Sequence, residues 1–477
     1  MKFHRSAWTG AALAAVAAVT LAACSSAAGP TTGGGASNSS ADSGAASSTG
    51  AGASDGAAAS TDKSTDTGTD ASPAKGTLTL WHYYTDREAD AVQKVVDQFQ
   101  AANPGITVKI TGGQGSQDIS KAISTGSDID VVILGGGSDL GVMCGSGAFQ
   151  DLGPQIKKDG LDLSQFVDTP LKSSAYNGVQ CSLPLLSDVY GLFYNKDLLS
   201  AAGFTEPPKT LDELETMALK LTTYNADGSI KTLGFNPMMG FYENQSGPWS
   251  AAVGAAWMAG DKSAISTDSA WAKLIEWQKA FVDKVGYSKL KAFTAGLGDE
   301  WSGDNAFQTG QVAMMMDGEW RVAFIEDQKP DLHYGTAPFP VAADKADLYG
   351  GGLAMSTYVG IAKTAKGTDL AFKLVKYLAA DTGALVTLTN EIKNIPTTQA
   401  SLASPDLKIS DQFRTFLDIA KSPHVFTVPQ VATGTGPQDT LLNYWEEFQS
   451  GAGGDLTAGL KKVDDDIDNA LALSAGP

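Results

Sequence analysis

Between Cys24 and Leu78 the chain holds no Val, Ile, Leu, Met, Phe, Tyr or Trp. The stretch is Ser, Ala, Gly and Thr with scattered Asp. Such a segment buries too little apolar surface to offset the entropy of ordering it. As a flexible coil of about 50 residues it spans roughly 40 Å root-mean-square. Folding is therefore confined to about 400 of the 477 residues, from near Gly76 onward. The stretch reads as a tether; a spacer that only sets distance would behave almost identically.

Before it, Lys2 and Arg5 precede an almost wholly small and apolar run from about Ala7 to Ala23. A basic start, an apolar middle and small residues at the cut make a secretory signal. The run is at or below the ~17–25 residues of a membrane-spanning helix, so no span is expected. It ends in Leu21-Ala22-Ala23-Cys24, which resembles the bacterial lipobox. The resemblance implies cleavage before Cys24 and diacylation of Cys24. Residues 1–23 are then signal peptide, and 24–75 are lipidated cysteine and tether. The competing reading is a plain signal with an incidental cysteine.

The chain carries 34 Lys and Arg against 53 Asp and Glu, a formal net charge of −19. Residues 1–75 contribute about −1, from Lys2, Arg5, Lys63 and Lys75 against five Asp, so the acidity belongs to the folded part. Nucleic-acid binding needs a basic surface to release counterions, so no nucleic-acid partner is expected. Four His and three Cys leave little room for a metal cluster or a histidine-driven site. No cofactor or metal is expected. From Gly76 onward no G-x-S-x-G, H-E-x-x-H or phosphate-loop pattern appears; Gly52-Ala53-Ser54-Asp55-Gly56 matches the first only within the Ser/Ala/Gly tether. At Gly135-Gly136-Gly137 the dinucleotide spacing fails, because Leu140 stands at the third glycine position.

The folded part opens with alternation from Thr77 to Leu80, running into Trp81, a strand signal. Thr85-Asp86-Arg87-Glu88 reads as a capping box, and Ala89, Val92, Val95, Val96 and Phe99 follow at helical spacing. Asn103-Pro104-Gly105 ends that helix. Strands are expected at Ile106–Ile110 and Asp130–Leu134. This strand–helix–strand order predicts an α/β fold with a largely parallel sheet, whose ligands sit beyond the carboxyl ends of its strands. Trp81–Tyr84 and Gly135–Asp139 then share one rim. Further helices are expected at Lys209–Thr223, with a second capping box from Thr210 to Glu213, and at Trp249–Met258, Trp271–Val285, Trp320–Asp327 and Thr368–Ala380. A strand is expected at Tyr358–Ala362. The tail from Thr440 to Leu473 reads as helix broken near Gly451–Gly454.

Asn177-Gly178-Val179-Gln180, Leu183-Pro184-Leu185, Tyr194-Asn195-Lys196-Asp197-Leu198-Leu199, Ala202-Gly203-Phe204 and Pro207-Pro208-Lys209-Thr210-Leu211-Asp212-Glu213-Leu214 follow in order. Gly310-Gln311-Val312-Ala313-Met314 and Asp317-Gly318-Glu319-Trp320 come next. Tyr334-Gly335, Ala337-Pro338-Phe339-Pro340, Gly350–Gly352 and Ile395-Pro396 complete the series. The ordered set, over about residues 77–470, resembles the extracellular solute-binding protein family 1, the sugar-binding lipoproteins of ABC importers. That resemblance implies a periplasmic-binding-protein-like fold: two α/β lobes with a hinge and an interlobe ligand cleft. Lobe one maps to 77–186 plus 354–397, and lobe two to 190–350 plus 400–477. Crossings fall near Ser187–Asp188, Gly350–Gly352 and Thr397–Ala400, where glycine tolerates large backbone change.

A neutral sugar offers hydroxyls that need hydrogen-bond partners and C–H faces that need an apolar one. Aromatic platforms with carboxylates meet both needs. The expected ligand contacts are Trp81, His82, Tyr83, Tyr84 and Asp86 on the first rim, Gly136, Gly137 and Asp139 on the glycine loop, and Asp188 at the crossing. Lobe two adds Tyr242, Trp249, Asp317 and Trp320, and the hinge adds Gly351 and Gly352. Trp320 and Asp188 enter through the family resemblance. Competing readings stand beside several: core packing for Trp81 and Trp249, a first-turn helix acid for Asp86, and a cap or hinge ion pair for Asp188. Trp257, Trp271, Trp277 and Trp445 sit at helical positions and are expected in the core.

Cys144 and Cys181 remain after Cys24. An oxidising exterior favours a disulfide between them, against two buried thiols. The expected function is capture of a di- or oligosaccharide by lobe closure and its delivery to ABC permease subunits. The expected protein is a lipid-anchored monomer, not an enzyme, on the extracytoplasmic face of the bacterial cell membrane. A secreted glycoside hydrolase using Asp317 and Glu319 is one rival, since that chemistry needs only two carboxyls. A surface solute sensor without transport is the other.

Overall fold

The computed structural model describes residues 74–136 and 139–474. The signal, Cys24, most of the tether, and Gly137 lie outside them. The strands in chain order are β1 (Gly76–His82), β2 (Ile106–Thr111), β3 (Val131–Leu134), β4 (Ser182–Asn195), β5 (Thr223–Tyr224), β6 (Ile230–Phe235) and β7 (Met258–Ala259). There follow β8 (Lys262–Ser263), β9 (Val312–Gly318), β10 (Tyr334–Ala337), β11 (Gly352–Ile361), β12 (Ile395–Pro396) and β13 (Val425–Phe426).

β1 pairs in parallel with β2 and β3, as the strand–helix–strand pattern requires. The sheet order continues β2-β1-β3-β11-β4-β9-β6-β5. β3 and β9 are buried at every position, which explains their unbroken apolar runs. The helix Asp86–Ala102 packs Val92, Val95, Val96 and Phe99 with Leu78, Leu80, Ile133 and Leu374 in one core. A second core gathers Leu192, Leu214, Phe235, Trp271, Met314 and Trp445. Between them lies a smaller cluster with Val189, Phe193, Ile395 and Phe416. These are two α/β lobes on one curled sheet.

β4 is the segment shared by both. Its first half lies against β11 and its second half, Tyr190–Tyr194, against β9. Ala354–Thr357 of β11 run opposite Val189–Leu186, and Ile395 and Pro396 of β12 oppose Ser187 and Leu186. Three passes of chain therefore meet at one line. Gly350–Gly352 lie just before it. Gly351 and Gly352 serve close packing: a Cβ on Gly351 would meet the His424 carbonyl oxygen at 2.1 Å, and one on Gly352 the Tyr190 oxygen at 3.0 Å.

Local signals fared unequally. The Thr210–Glu213 capping box forms, with Glu213 N donating to Thr210 Oγ1 at 3.2 Å and Thr210 N to Glu213 Oε2 at 3.2 Å. The Thr85–Glu88 box does not form, because Thr85 makes no side-chain cap bond and Asp86 takes φ +48°. The helix expected over Trp249–Met258 is Ser246–Val253, ended by Gly254 in the left-handed region. Cys144 and Cys181 are bonded, with Cα atoms 6.0 Å apart, tying the Leu140–Gly145 helix to the approach of β4. No helix among the described residues is long and apolar enough to cross a membrane.

Candidate functional site

The three-pass line carries a buried polar knot. Asn394, immediately before β12, donates through Nδ2 to Asp188 Oδ1 and, at 3.1 Å, to Glu319 Oε1. Glu319 Oε2 accepts the Val189 N–H at 2.7 Å. Three chain segments, two carboxyls and one amide are thus joined. Burial pushes the Asp188 carboxyl up to about 7; the Glu88 charge adds to this and the Asn394 hydrogen bond opposes it. Glu319 is raised too, first by burial and then by Asp188. Two such carboxyls side by side cannot both ionise cheaply, so the knot retains a proton over much of the acidic to neutral range.

Lobe one brings Tyr83 and Tyr84 to this line. Their rings lie 4.1 Å apart, and their hydroxyls reach Thr357 Oγ1 at 3.0 and 3.5 Å. Thr357 sits at the register shift in β11, where the ladder is already interrupted. Gly135 packs beneath Tyr83, since a Cβ there would meet the ring at 2.5 Å.

Lobe two answers with Tyr190 and Trp320, edge to face at 5.4 Å. Tyr190 donates its hydroxyl to Glu243 Oε2 at 3.0 Å. Burial raises the Glu243 carboxyl, with the Asp317 charge second. Asp317, at the end of β9, is enclosed: Arg321 Nε donates to Oδ2 at 2.6 Å and Gly318 N to Oδ1 at 2.8 Å. Arg321 also lies over the Trp301 ring at 5.3 Å. On the flank, Arg87 Nε reaches Asp327 Oδ2 at 3.2 Å, and Lys393 Nζ reaches Glu326 Oε2 at 3.4 Å, so the Trp320–Gln328 helix touches lobe one.

The expected residues divide. Tyr83, Tyr84, Asp188, Asp317 and Trp320 converge on the crossing. Asp139 lies at another interlobe contact: it accepts from Ser116 Oγ at 2.5 Å and faces Gly434, whose Cβ would meet Asp139 Oδ1 at 2.8 Å. Gly136, nearby, takes φ +78°. Gly137 is outside the described residues. His82 is 1% exposed, and burial lowers its pKa to about 4, so it is neutral at pH 7. Trp81 is half-buried and packs on the cluster containing Ile119, Val132 and Leu134. Asp86 is exposed at its helix start. Tyr242 secures a loop, donating to Gly298 O at 2.9 Å and accepting from Ala306 N at 3.2 Å.

Trp249 is a correction. Its side chain is wholly enclosed by the lobe-two core, against Phe235, Phe339 and Trp277, because every residue of its helix is buried. Sequence reasoning missed Glu88 as a site residue, and also Tyr190, Glu243, Glu300, Arg321 and Asn394. Arg321 had a local signal, four residues after Asp317 and next to Trp320. Asn394 had none, being 206 residues from Asp188.

Comparison with known proteins places this architecture. A family model described as bacterial extracellular solute-binding protein matches residues 85–385. A maltodextrin-binding protein of Bacillus subtilis is 27% identical over 338 residues, covering 68% of this chain and 74% of the relative. A maltotriose-binding protein of Pyrococcus abyssi is 22% identical, over 71% of this chain and 70% of the relative. Among solved structures, CpMnBP1 with mannotriose bound superposes with a TM-score of 0.73 at 24% identity, covering 82% of this chain and 99% of that one. The family match spans well over half of the chain, and its members are binding proteins acting outside the cytoplasm. The chain belongs to the bacterial extracellular solute-binding protein family.

Proposed function

We propose that this protein is the substrate-binding lipoprotein of an ABC importer, capturing a di- or oligosaccharide between its lobes and handing it to the permease. The observation that carries the reading is the convergence, at one three-pass hinge, of aromatic faces and carboxyls from both lobes. Rings suit the C–H faces of a sugar, and the enclosed carboxyls fix the crossing on which those rings are carried. Relatives named for maltodextrin and maltotriose, and structural neighbours with mannotriose or maltose bound, support the same solute class. Closure is a population shift, since a solute touching both lobes favours the form in which both are near.

Lobe limits near 77–186 with 354–397 and 190–350 with 400–477 are supported by two large cores drawn mainly from those segments. Anchoring through Cys24 rests on the Leu21-Ala22-Ala23-Cys24 motif and on relatives named lipoproteins. Binding without hydrolysis is favoured by the state of Asp317 and Glu319. Both are fully enclosed and hold intramolecular donors, so neither is free to act as acid or nucleophile.

The test is thermal unfolding of the soluble domain with maltotriose, mannotriose, mannobiose and monosaccharide controls. At least one oligosaccharide should raise Tm by several degrees at millimolar concentration. A folded protein indifferent to the whole set would refute the carbohydrate reading.

A further inference from the structure

Arg321 and Glu300 face each other across a gap. The guanidinium of Arg321 is fully enclosed and most of its donors are used. Nε binds Asp317, and Nη1 binds the Glu300 carbonyl at 2.9 Å and Gln308 Oε1 at 3.4 Å. Nη2 has no hydrogen-bond partner, and neither has Glu300 Oε1, although both atoms are buried. They lie 3.9 Å apart, too far for a hydrogen bond. A buried donor and a buried acceptor left unpaired are each costly, so the arrangement asks for a third group.

The gap does not close by itself. Glu300 sits in a loop fixed from behind: its carbonyl accepts from Arg321 Nη1 and from Asn305 Nδ2 at 3.0 Å. Tyr242 pins Gly298 and Ala306 on either side. Arg321 is fixed by Asp317. A hydroxyl oxygen can stand about 2.8 Å from both atoms, with roughly a right angle between them, accepting from Nη2 and donating to Oε1. An ammonium group lacks the acceptor and a carbonyl lacks the donor. Apolar faces adjoin the gap, with the Trp301 and Trp320 rings 6.5 Å apart. The Glu300 side chain retains 15% exposure while Arg321 has none, so entry is from the Glu300 side.

We propose that Glu300 and Arg321 form a hydroxyl-reading subsite, which takes one specific sugar hydroxyl of the solute and makes its presence a condition of tight binding. This rests on the carbohydrate reading above and deepens it. A buried donor and acceptor left without hydrogen-bond partners by a missing hydroxyl discriminate more strongly than a lost apolar contact.

The experiment uses whichever of maltotriose, mannotriose and mannobiose binds the soluble domain most tightly, with its series of singly deoxygenated analogues. Kd is measured by calorimetry for the wild type and Glu300→Gln, with Glu300→Asp as second variant should Glu300→Gln not fold. Wild type should lose about 10- to 100-fold in affinity at one hydroxyl position, and the variant should lose less than about 3-fold at that same position. Equal losses in both proteins at every position, or unchanged parent affinity in a folded Glu300→Gln, would mean that the gap holds only water and would overturn the subsite. If the wild type binds none of the three parents, the carbohydrate reading falls first and the subsite with it.

Discussion

Asp188 and Glu319 share Asn394 as donor inside the protein, and this fixes how the hinge responds to pH. The Asp188 pKa stands above its unfolded value, so its favourable contribution is present below about pH 4 and is lost as pH rises through about 7. His82 runs the other way. Its lowered pKa makes its contribution grow between about pH 4 and 6.5 and stay constant above that. Between pH 7 and 9 His82 therefore drops out of the comparison. Asp188→Asn keeps an oxygen for Asn394 and removes the buried charge. It should raise stability over wild type by about 1–3 kcal/mol at pH 8, with the gain shrinking toward pH 4. Melting curves across this range check it, and a difference independent of pH would count against the shared-proton knot. The two tryptophans should separate in the same way. Trp249→Ala should cost about 3–5 kcal/mol in urea unfolding, as a core cavity does. Trp320→Ala should chiefly weaken ligand binding, by about tenfold or more, because its ring adjoins Tyr190 at the crossing.

Among the elements, the Trp320–Gln328 helix does two jobs. Its first turn brings Trp320 and Arg321 to the site, and its last turn meets lobe one through Asp327 with Arg87 and Glu326 with Lys393. Arg87 also lies 5.1 Å from the Phe324 ring centroid. These contacts make the helix a latch between lobes. Arg87 and Asp327 are partly exposed, so the pair is worth at most about 1 kcal/mol. Arg87→Ala should thus weaken solute affinity only about 2- to 5-fold, mostly through faster dissociation, with Tm nearly unchanged; stopped-flow release measures it. A hundredfold loss would make Arg87 a ligand contact instead. Element positions were largely legible because periodicity and turn residues are local. Asn103-Pro104-Gly105 and Gly451–Gly454 end helices as expected. The Thr85 box, though written in the sequence, does not form, because Asp86 takes φ +48°, Thr85 makes no side-chain cap bond and Glu88 lies 3.9 Å from Arg87, a backbone detail that capping rules do not contain.

For the whole molecule, the two-lobed fold was readable from the ordered motifs, several of which mark element ends: Tyr194-Asn195-Lys196 closes β4 and Gly310-Gln311 leads into β9. The site was readable only in part. Tyr83 and Tyr84 follow the end of β1, Trp320 begins a helix, and Asp188 sits where β4 passes from one lobe to the other, so sequence position and spatial position coincide. Asn394, Glu243 and Glu300 reach it from distant segments, and nothing in their neighbours announces it. Trp249 misled because an aromatic in a binding protein suits core and cleft equally well until burial is known. The central claim is that the cleft between these lobes holds an oligosaccharide and leaves it intact. Titration calorimetry of the soluble domain with maltotriose and mannotriose, with the recovered sugar checked by mass spectrometry, tests it most directly. A saturable one-to-one isotherm for at least one of them, weakened by Trp320→Ala and with the sugar recovered whole, is the result predicted. No binding heat from either sugar with folded protein, or recovery of cleaved sugar, would contradict it.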